Sequence, residues 1–398
     1  MFMQFLRRKL KNGMTVIMEQ RELPVVSFSI TNRFGAIFEE SKIKGIAHFM
    51  EHLLFTGTKT RTHEDISREI EKKGGILNAF TAQEVTSYWF KLPSEHLFAG
   101  MDILCDMFLH CAFKEDKFEK EKKVILEEIK MYHDSPQSHV FELIERNLYK
   151  APFGEGIIGS ATTVSALDRD FVAAYYKEHY SPEQYIVTIV GNADFETVCR
   201  YLEERFSGKK GSLKELVVVP HVKESVEERA GIDQAHFVFA LHAPLAGTKE
   251  HTALEVLDAY LASGMSSRLF LKIREEKGLA YAVKSSLSAE KRYAYYSIYV
   301  GTTKQAVPEV TKIILEEFKA VEKMSEKDLA EAKERLIGLR KVTSEESSNV
   351  MNELLFAELR GRAEDYYEQE ARIKEIRLED VQQIARIKDF ASAAIVPV

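Results

Sequence analysis

The chemistry of this chain is most legible in five residues, His48-Phe49-Met50-Glu51-His52. Four positions separate the two histidines, so on a helix they lie about one turn apart and both imidazoles can grip one metal ion. Glu51 falls on the same side, offset by a small angle, where it can touch a water bound to that metal. Residues Gly45 to Phe55 read as such a helix, dense in apolar side chains and followed by Gly57 as a stop. The residue order reverses that of the His-Glu-x-x-His zinc helix. Hydrolytic zinc takes three protein ligands and keeps one position open for water, so a third ligand is required.

The candidate is Glu128, in the helix-forming run from Lys117 to Lys130, which has no Gly or Pro and interleaves acidic with basic residues. Glu127 competes with it, and helical geometry separates the two. Glu128 shares a stripe with Glu121, Val124, Ile125 and Tyr132, the side expected to pack inward. Glu127 lines up with Lys120, Lys123 and Lys130, where a Lys123–Glu127 pair is an ordinary solvated contact. Glu121 lies two turns before Glu128 on the same face and is expected to point towards the same site.

The chemistry of that ligand set is hydrolysis. Zinc held by His48, His52 and Glu128 lowers the pKa of bound water towards neutrality and polarises a carbonyl. Glu51 is placed to accept the proton as hydroxide attacks, and to pass it to the leaving amine.

Several stretches together resemble the inverted-motif zinc peptidases, the family of pitrilysin, insulin-degrading enzyme and the mitochondrial processing peptidase. They are the histidine motif, a glutamate 76 positions after His52, and Val124-Ile-Leu-Glu-Glu-Ile-Lys-Met-Tyr132. Further likeness lies in Leu10-Lys-Asn-Gly-Met-Thr-Val-Ile17, Gly74-Gly-Ile-Leu-Asn-Ala-Phe-Thr81, Tyr180 to Asn192 and Ser266 to Tyr281. The similarity spans essentially the whole chain and is nearest to the short-subunit prokaryotic members. It implies one Zn2+ per chain, an assisting role for Glu121, and two chains enclosing a substrate chamber. It also implies that Arg274 and Tyr281 position substrate, since both can donate to a peptide carbonyl or its developing oxyanion. In a chain of this length that pair reaches the zinc site from a second subunit, which favours a homodimer. The strand carrying Asn78, Ala79 and Phe80 reads as a sheet edge, to which an extended peptide substrate can add. Two other readings within the resemblance are the catalytic subunit of a hetero-oligomeric processing peptidase and a non-catalytic scaffold or peptide-binding relative. The second typically lacks some of the metal residues, all of which are present here.

Composition agrees with a globular enzyme. The chain has 398 residues, 45% hydrophobic and 29% charged, too long for one compact core. A net charge of −7 gives no reason to expect nucleic acid as a partner. The three cysteines, Cys105, Cys111 and Cys199, imply no disulfide framework, and Cys105 and Cys111, flanking His110, read as buried thiols. No apolar run is long enough to span a bilayer, so no membrane partner is expected. The basic start runs directly into the strand-like Met14–Met18 and reads as the first strand of the fold, hence a cytoplasmic protein.

The expected fold class is α+β: two homologous domains, each a mostly antiparallel sheet with helices packed on one face. Residues 1–207 form the zinc-binding domain, 208–222 a polar linker, and 223–398 a second domain of similar fold without the metal site. Candidate strands are Val25–Asn32, Ile76–Thr81, Ser87–Leu92, Ile186–Gly191, His236–His242, Val283–Ser288 and Tyr293–Val300. A weak internal repeat matches Gly57 with Gly264. It places Glu255, Asp258 and Ala259 where His48, Glu51 and His52 stand, and Leu339 opposite Glu128.

Overall fold

The computed structural model describes residues 4–208 and 217–398, so most of the expected linker, 209–216, lies outside the described residues. Backbone contacts divide the chain into two units. Unit 1 takes residues 1–131, 155–217 and 344–355; unit 2 takes 132–154, 218–343 and 356–398.

In unit 1 the strands are β1 (Gln4–Lys9), β2 (Thr15–Gln20), β3 (Val25–Asn32), β4 (Ile76–Thr81), β5 (Thr86–Pro93) and β6 (Tyr185–Gly191). The helices are α1 (Ile46–Phe55), α2 (His63–Glu71), α3 (Leu97–His110), most of α4 (Glu115–Asp134), α6 (Ala161–Ala166), α7 (Arg169–His179) and α8 (Phe195–Arg205). The sheet order is β1-β2-β6-β3-β5-β4, antiparallel except for the β2–β6 pair. Strand alternation sends Val26, Phe28 and Ile30 of β3, with Tyr88, Phe90 and Leu92 of β5, to one fully buried face. Phe28 and Phe90 stack there at 5.1 Å, and the Tyr88 hydroxyl donates to the Met50 carbonyl of α1 at 3.3 Å. Small hydroxyl residues, Ser27, Ser29 and Thr31, line the other face. Residues 344–347 meet it: Ser27 and Ser347 share a hydrogen bond, Arg21 donates to the Ser344 carbonyl, and Lys91 pairs with Glu346.

Unit 2 repeats this plan. Its strands are β7 (Glu224–Arg229), β8 (Ala235–His242), β9 (Ala282–Ala289), β10 (Ala294–Thr302) and β11 (Ala391–Pro397), in the order β7-β11-β8-β10-β9. The β7–β11 pair is parallel and the rest antiparallel, matching β2-β6-β3-β5-β4 position for position. Its helices are α5 (Pro136–Leu148), α9 (Lys249–Leu261), α10 (Val307–Ala320), α11 (Glu326–Thr343), the last turn of α12 (Ser347–Arg360), whose greater part belongs to unit 1, α13 (Asp365–Glu375) and α14 (Leu378–Ile384), with a π-helical segment at Phe270–Glu276. Helix α9 lies between β8 and β9 in the chain as α1 lies between β3 and β4. One core joins Phe237, Phe239, Tyr296 and Ile298 of the sheet to α9, α10 and α11, while α5 packs on β8 and β11. The fold is α+β twice over.

The strands expected at Val25–Asn32 and Ile76–Thr81 have those bounds. Strands β7 and β11 gave no sequence signal. Glu-Ser-Val-Glu-Glu-Arg is too charged and Ala-Ser-Ala-Ala-Ile-Val-Pro too rich in alanine to stand out as β-formers. The inward-packing stripe of α4 needs correction. Phe118 and Ile125 are buried, but Val124 and Tyr132 are 42% and 37% exposed, because the carboxylate-bearing side of the helix borders open space rather than core. Among the described residues no helix is long and apolar enough to cross a membrane.

Candidate metal centre

Helix α1 is anchored before its chemistry begins. Gly45 caps it at φ 96°, a left-handed conformation, and an added Cβ would lie 2.6 Å from the Ile158 carbonyl oxygen, so glycine is required there. The orphan N–H groups of the first turn are met by a fully buried carboxylate. Glu39 accepts from Gly45 N at 3.0 Å and from Ala47 N at 2.7 Å. Lys44, also buried, donates to the Ala36 carbonyl at 2.6 Å and lies 3.6 Å from Glu39. Burial pushes the Glu39 carboxyl up, opposed by Lys44 and the two backbone donors.

Helix α4 is registered on α1 by one ring pair, Phe49 with Phe118, stacked at 4.7 Å. From Phe118, the positions three, seven and ten residues on are Glu121, Ile125 and Glu128, a single stripe of helix. The contact therefore carries both glutamates to His48 and His52. Glu128 Oε2 lies 3.7 Å from His48 Nε2 and 3.5 Å from His52 Nε2. One donor atom from each residue falls within 4.8 Å of the other two. Ligand bonds of about 2.1 Å put tetrahedral donors about 3.4 Å apart, so this spacing suits one small cation. Glu127 points away and pairs with Lys130 at 2.7 Å, not with Lys123.

The outer contacts are as specific. Glu121 Oε2 meets His52 Nδ1 at 3.3 Å, on the far side of the ring from Glu128. A carboxylate on the distal nitrogen fixes the tautomer that leaves Nε2 for a metal. Glu51 Oε2 accepts a 2.5 Å hydrogen bond from Thr81 Oγ1. Strand β4 is the sheet edge, pairing only with β5 among the described strands, and its alternation turns Leu77, Ala79 and Thr81 to the α1 side. Asn78 and Phe80 face the other way, and Asn78 Oδ1 accepts from the Ala79 N–H at 2.8 Å. A cavity of about 230 Å³ opens beside His52, lined in part by Glu51, His52, Phe55, Lys117 and Glu121.

Electrostatics separate the two imidazoles. Burial, and then the neighbouring His52, pull His48 down to about 4 against the attraction of Glu128. Burial also lowers His52, but Glu121, Glu128 and Glu51 outweigh it and push that ring up to about 9. The contact with His52 holds Glu128 below the usual carboxylate range, against its burial. Burial raises Glu51, opposed by the Thr81 hydroxyl and by His52. His48 is thus a neutral, buried imidazole whose Nδ1 has no hydrogen-bond partner among the described residues and whose Nε2 faces Glu128. Two neutral-capable imidazoles and one carboxylate are the donor set of a catalytic zinc site, and these residues fit that ion.

Arg274 and Tyr281 belong to unit 2, where the guanidinium sits 5.1 Å from the Tyr281 ring centre and 4.9 Å from that of Phe270. Tyr281 is 76% exposed. In α9 the matching positions hold no paired imidazoles: Asp258 accepts from the Tyr296 hydroxyl and Ala259 is buried. The cysteines are free, and burial raises Cys105 and Cys111 to about 12. Sequence reasoning missed Thr81 and Glu39. The alternation of β4 was the available signal for Thr81; Glu39 had none.

The family model described as Insulinase (Peptidase family M16) matches residues 15–161, and that described as Peptidase M16 inactive domain matches residues 166–336. An uncharacterized zinc protease of Bacillus subtilis is 31% identical over 401 residues, covering 97% of both chains. An uncharacterized zinc protease of Streptomyces coelicolor is 31% identical over 398 residues, covering 96% of this chain and 86% of that one. The chain belongs to the insulinase family of peptidases, with the same fold twice in its length. In fold it matches the structure of a protease from Helicobacter pylori, with a TM-score of 0.90 at 20% identity over 99% of this chain and 100% of that one. The structure of a peptidase M16 inactive domain from Pseudomonas fluorescens matches with a TM-score of 0.90 at 15% identity, over 99% and 98% of the two chains.

Proposed function

We propose that this chain is a zinc-dependent endopeptidase that cleaves unfolded peptides or short protein segments. The observation that carries the reading is the convergence of His48, His52 and Glu128 from two helices, with Glu51 beside them. When bound, zinc supplies a Lewis acid that acidifies water and polarises the scissile carbonyl. Glu51 takes a proton from the attacking water and returns it to the leaving amine. Its raised affinity for protons suits a group that must do both at neutral pH. Thr81 holds the Glu51 carboxylate in place, and Glu121 orients His52 from its Nδ1 side. The exposed edge of β4, at Asn78, Ala79 and Phe80, accepts substrate as an added strand, which selects for extended chains over folded ones. Arg274 and Tyr281 donate to the substrate carbonyl, supplied by the second subunit of a homodimer that encloses the substrate in a chamber.

The test is the Glu51→Gln chain loaded with zinc. Its zinc content should equal wild type, while cleavage of a quenched fluorescent peptide falls about 10²–10⁴-fold. A zinc-replete Glu51→Gln protein that cleaves at the wild-type rate would remove the assignment.

A further inference from the structure

A second group of metal-binding side chains lies in unit 2, and nothing in the peptidase reading uses it. Helix α4 ends at Asp134 and α5 starts at Pro136, with Ser135 as the N-cap accepting from Ser138 N. This one-residue junction folds the chain back and brings His133 beside His139, ring centres 4.6 Å apart. Strand β7 contributes the third group. Its alternation turns Ser225, Glu227 and Arg229 inward, and Ser225 accepts from the Asn147 amide of α5 at 2.7 Å. Glu227 Oε2 thereby reaches His139 Nε2 at 3.2 Å. One donor atom each from His133, His139 and Glu227 falls within 4.8 Å of the other two.

We propose that His133, His139 and Glu227 form a second site for a divalent cation of the zinc type, apart from the catalytic trio. The surrounding contacts prepare these donors for a cation. Glu142 Oε2 lies 3.0 Å from His139 Nδ1, which fixes the tautomer with its lone pair on Nε2, towards Glu227. Arg229 holds the other oxygen of Glu227, Oε1, at 3.1 and 2.6 Å, so Oε2 is the one turned to His139. The same guanidinium donates to the His133 carbonyl at 2.6 Å and so holds the last turn of α4 against β7. The two carboxylates of Glu142 and Glu227 face one guanidinium, that of Arg229, an excess of negative charge that a dication offsets. His139 is 5% exposed while the His133 side chain is 60% exposed, so one ligand is preset and the other closes over an ion arriving from solvent. The competing arrangement is a proton in place of the metal: an imidazolium bridging Glu142 and Glu227.

The metal-free full-length chain is titrated with Co2+ alone, following its d–d absorption, in wild type, His133→Ala and His52→Ala. His133 is exposed, so its replacement leaves the fold intact, as circular dichroism would verify. Two equivalents are expected in wild type and one in each variant. Glu142→Gln should weaken the second equivalent about 10–100-fold while sparing the first. A single wild-type equivalent, lost in His52→Ala and kept in His133→Ala, overturns the second site and leaves the catalytic one standing. An equivalent lost in His133→Ala but kept in His52→Ala upholds the second site and removes the first.

Discussion

At the proposed site zinc would have to compete with one proton for its place between α1 and α4. In the metal-free protein His52 titrates at about 9, because Glu121, Glu128 and Glu51 outweigh its burial, whereas His48 titrates at about 4. Between about pH 4 and about pH 9 the metal therefore displaces a proton from His52 and none from His48, and its affinity rises tenfold per pH unit. Between about pH 6 and about pH 8 the gain is about a hundredfold, or about 2.7 kcal/mol. The metal-free fold responds in the opposite sense. A raised histidine contributes stability that is fully present below its unfolded value of 6.5 and is lost as pH climbs through about 9. Zinc thus matters more to the fold as pH rises. Competition with a chromogenic chelator gives the affinity at each pH, and calorimetry in buffers of different ionisation heat counts the protons. Both are best done in His133→Ala, where only the first site is read. One proton released per zinc is expected near neutrality. A flat affinity profile, or two protons per zinc, would refute the reasoning.

Two further substitutions probe the supports of the site. Thr81→Val removes the hydrogen bond to Glu51; a bond to a charged group is worth about 1.5–3 kcal/mol, so the carboxylate should rise by about 1–2 pH units. The acid limb of the kcat/KM profile should move to higher pH by that amount, with zinc content unchanged. Glu39→Ala strips α1 of its two N-terminal acceptor contacts and leaves Lys44 buried without its counter-ion. Denaturant unfolding should show a loss of about 3–5 kcal/mol, a cost reserved for breaking buried pairs.

What could be read in advance follows a physical boundary. The spacing of His48, Glu51 and His52 is local, and one turn of helix converts it directly into geometry. Glu128 was separable from Glu127 because a charged helix has a solvated side, and Glu127 does pair with Lys130 there. Strand β3 is legible through its alternating apolar residues, and β4 through the Gly74-Gly75 turn that leads into it. The repeat was faint in the residues yet is plain in the strand order, since topology outlasts sequence. Contacts between distant segments gave no such signal. Glu39 reads as one more surface acid until its two backbone donors are seen. Glu227 meets His139 from 88 residues away, through a charged strand that sequence pattern did not distinguish. Val124 is expected inside because an apolar residue on the stripe that carries Glu128 suggests core; it is exposed because that stripe borders open space.

Anomalous diffraction at the zinc edge from crystals of the zinc-loaded chain tests the central claim most directly. The account predicts a peak bonded at about 2.0–2.2 Å to His48 Nε2, His52 Nε2 and a Glu128 oxygen, with a fourth position free of protein. A zinc-replete crystal with no peak among those three residues, or with Glu128 turned away from the ion, would contradict it.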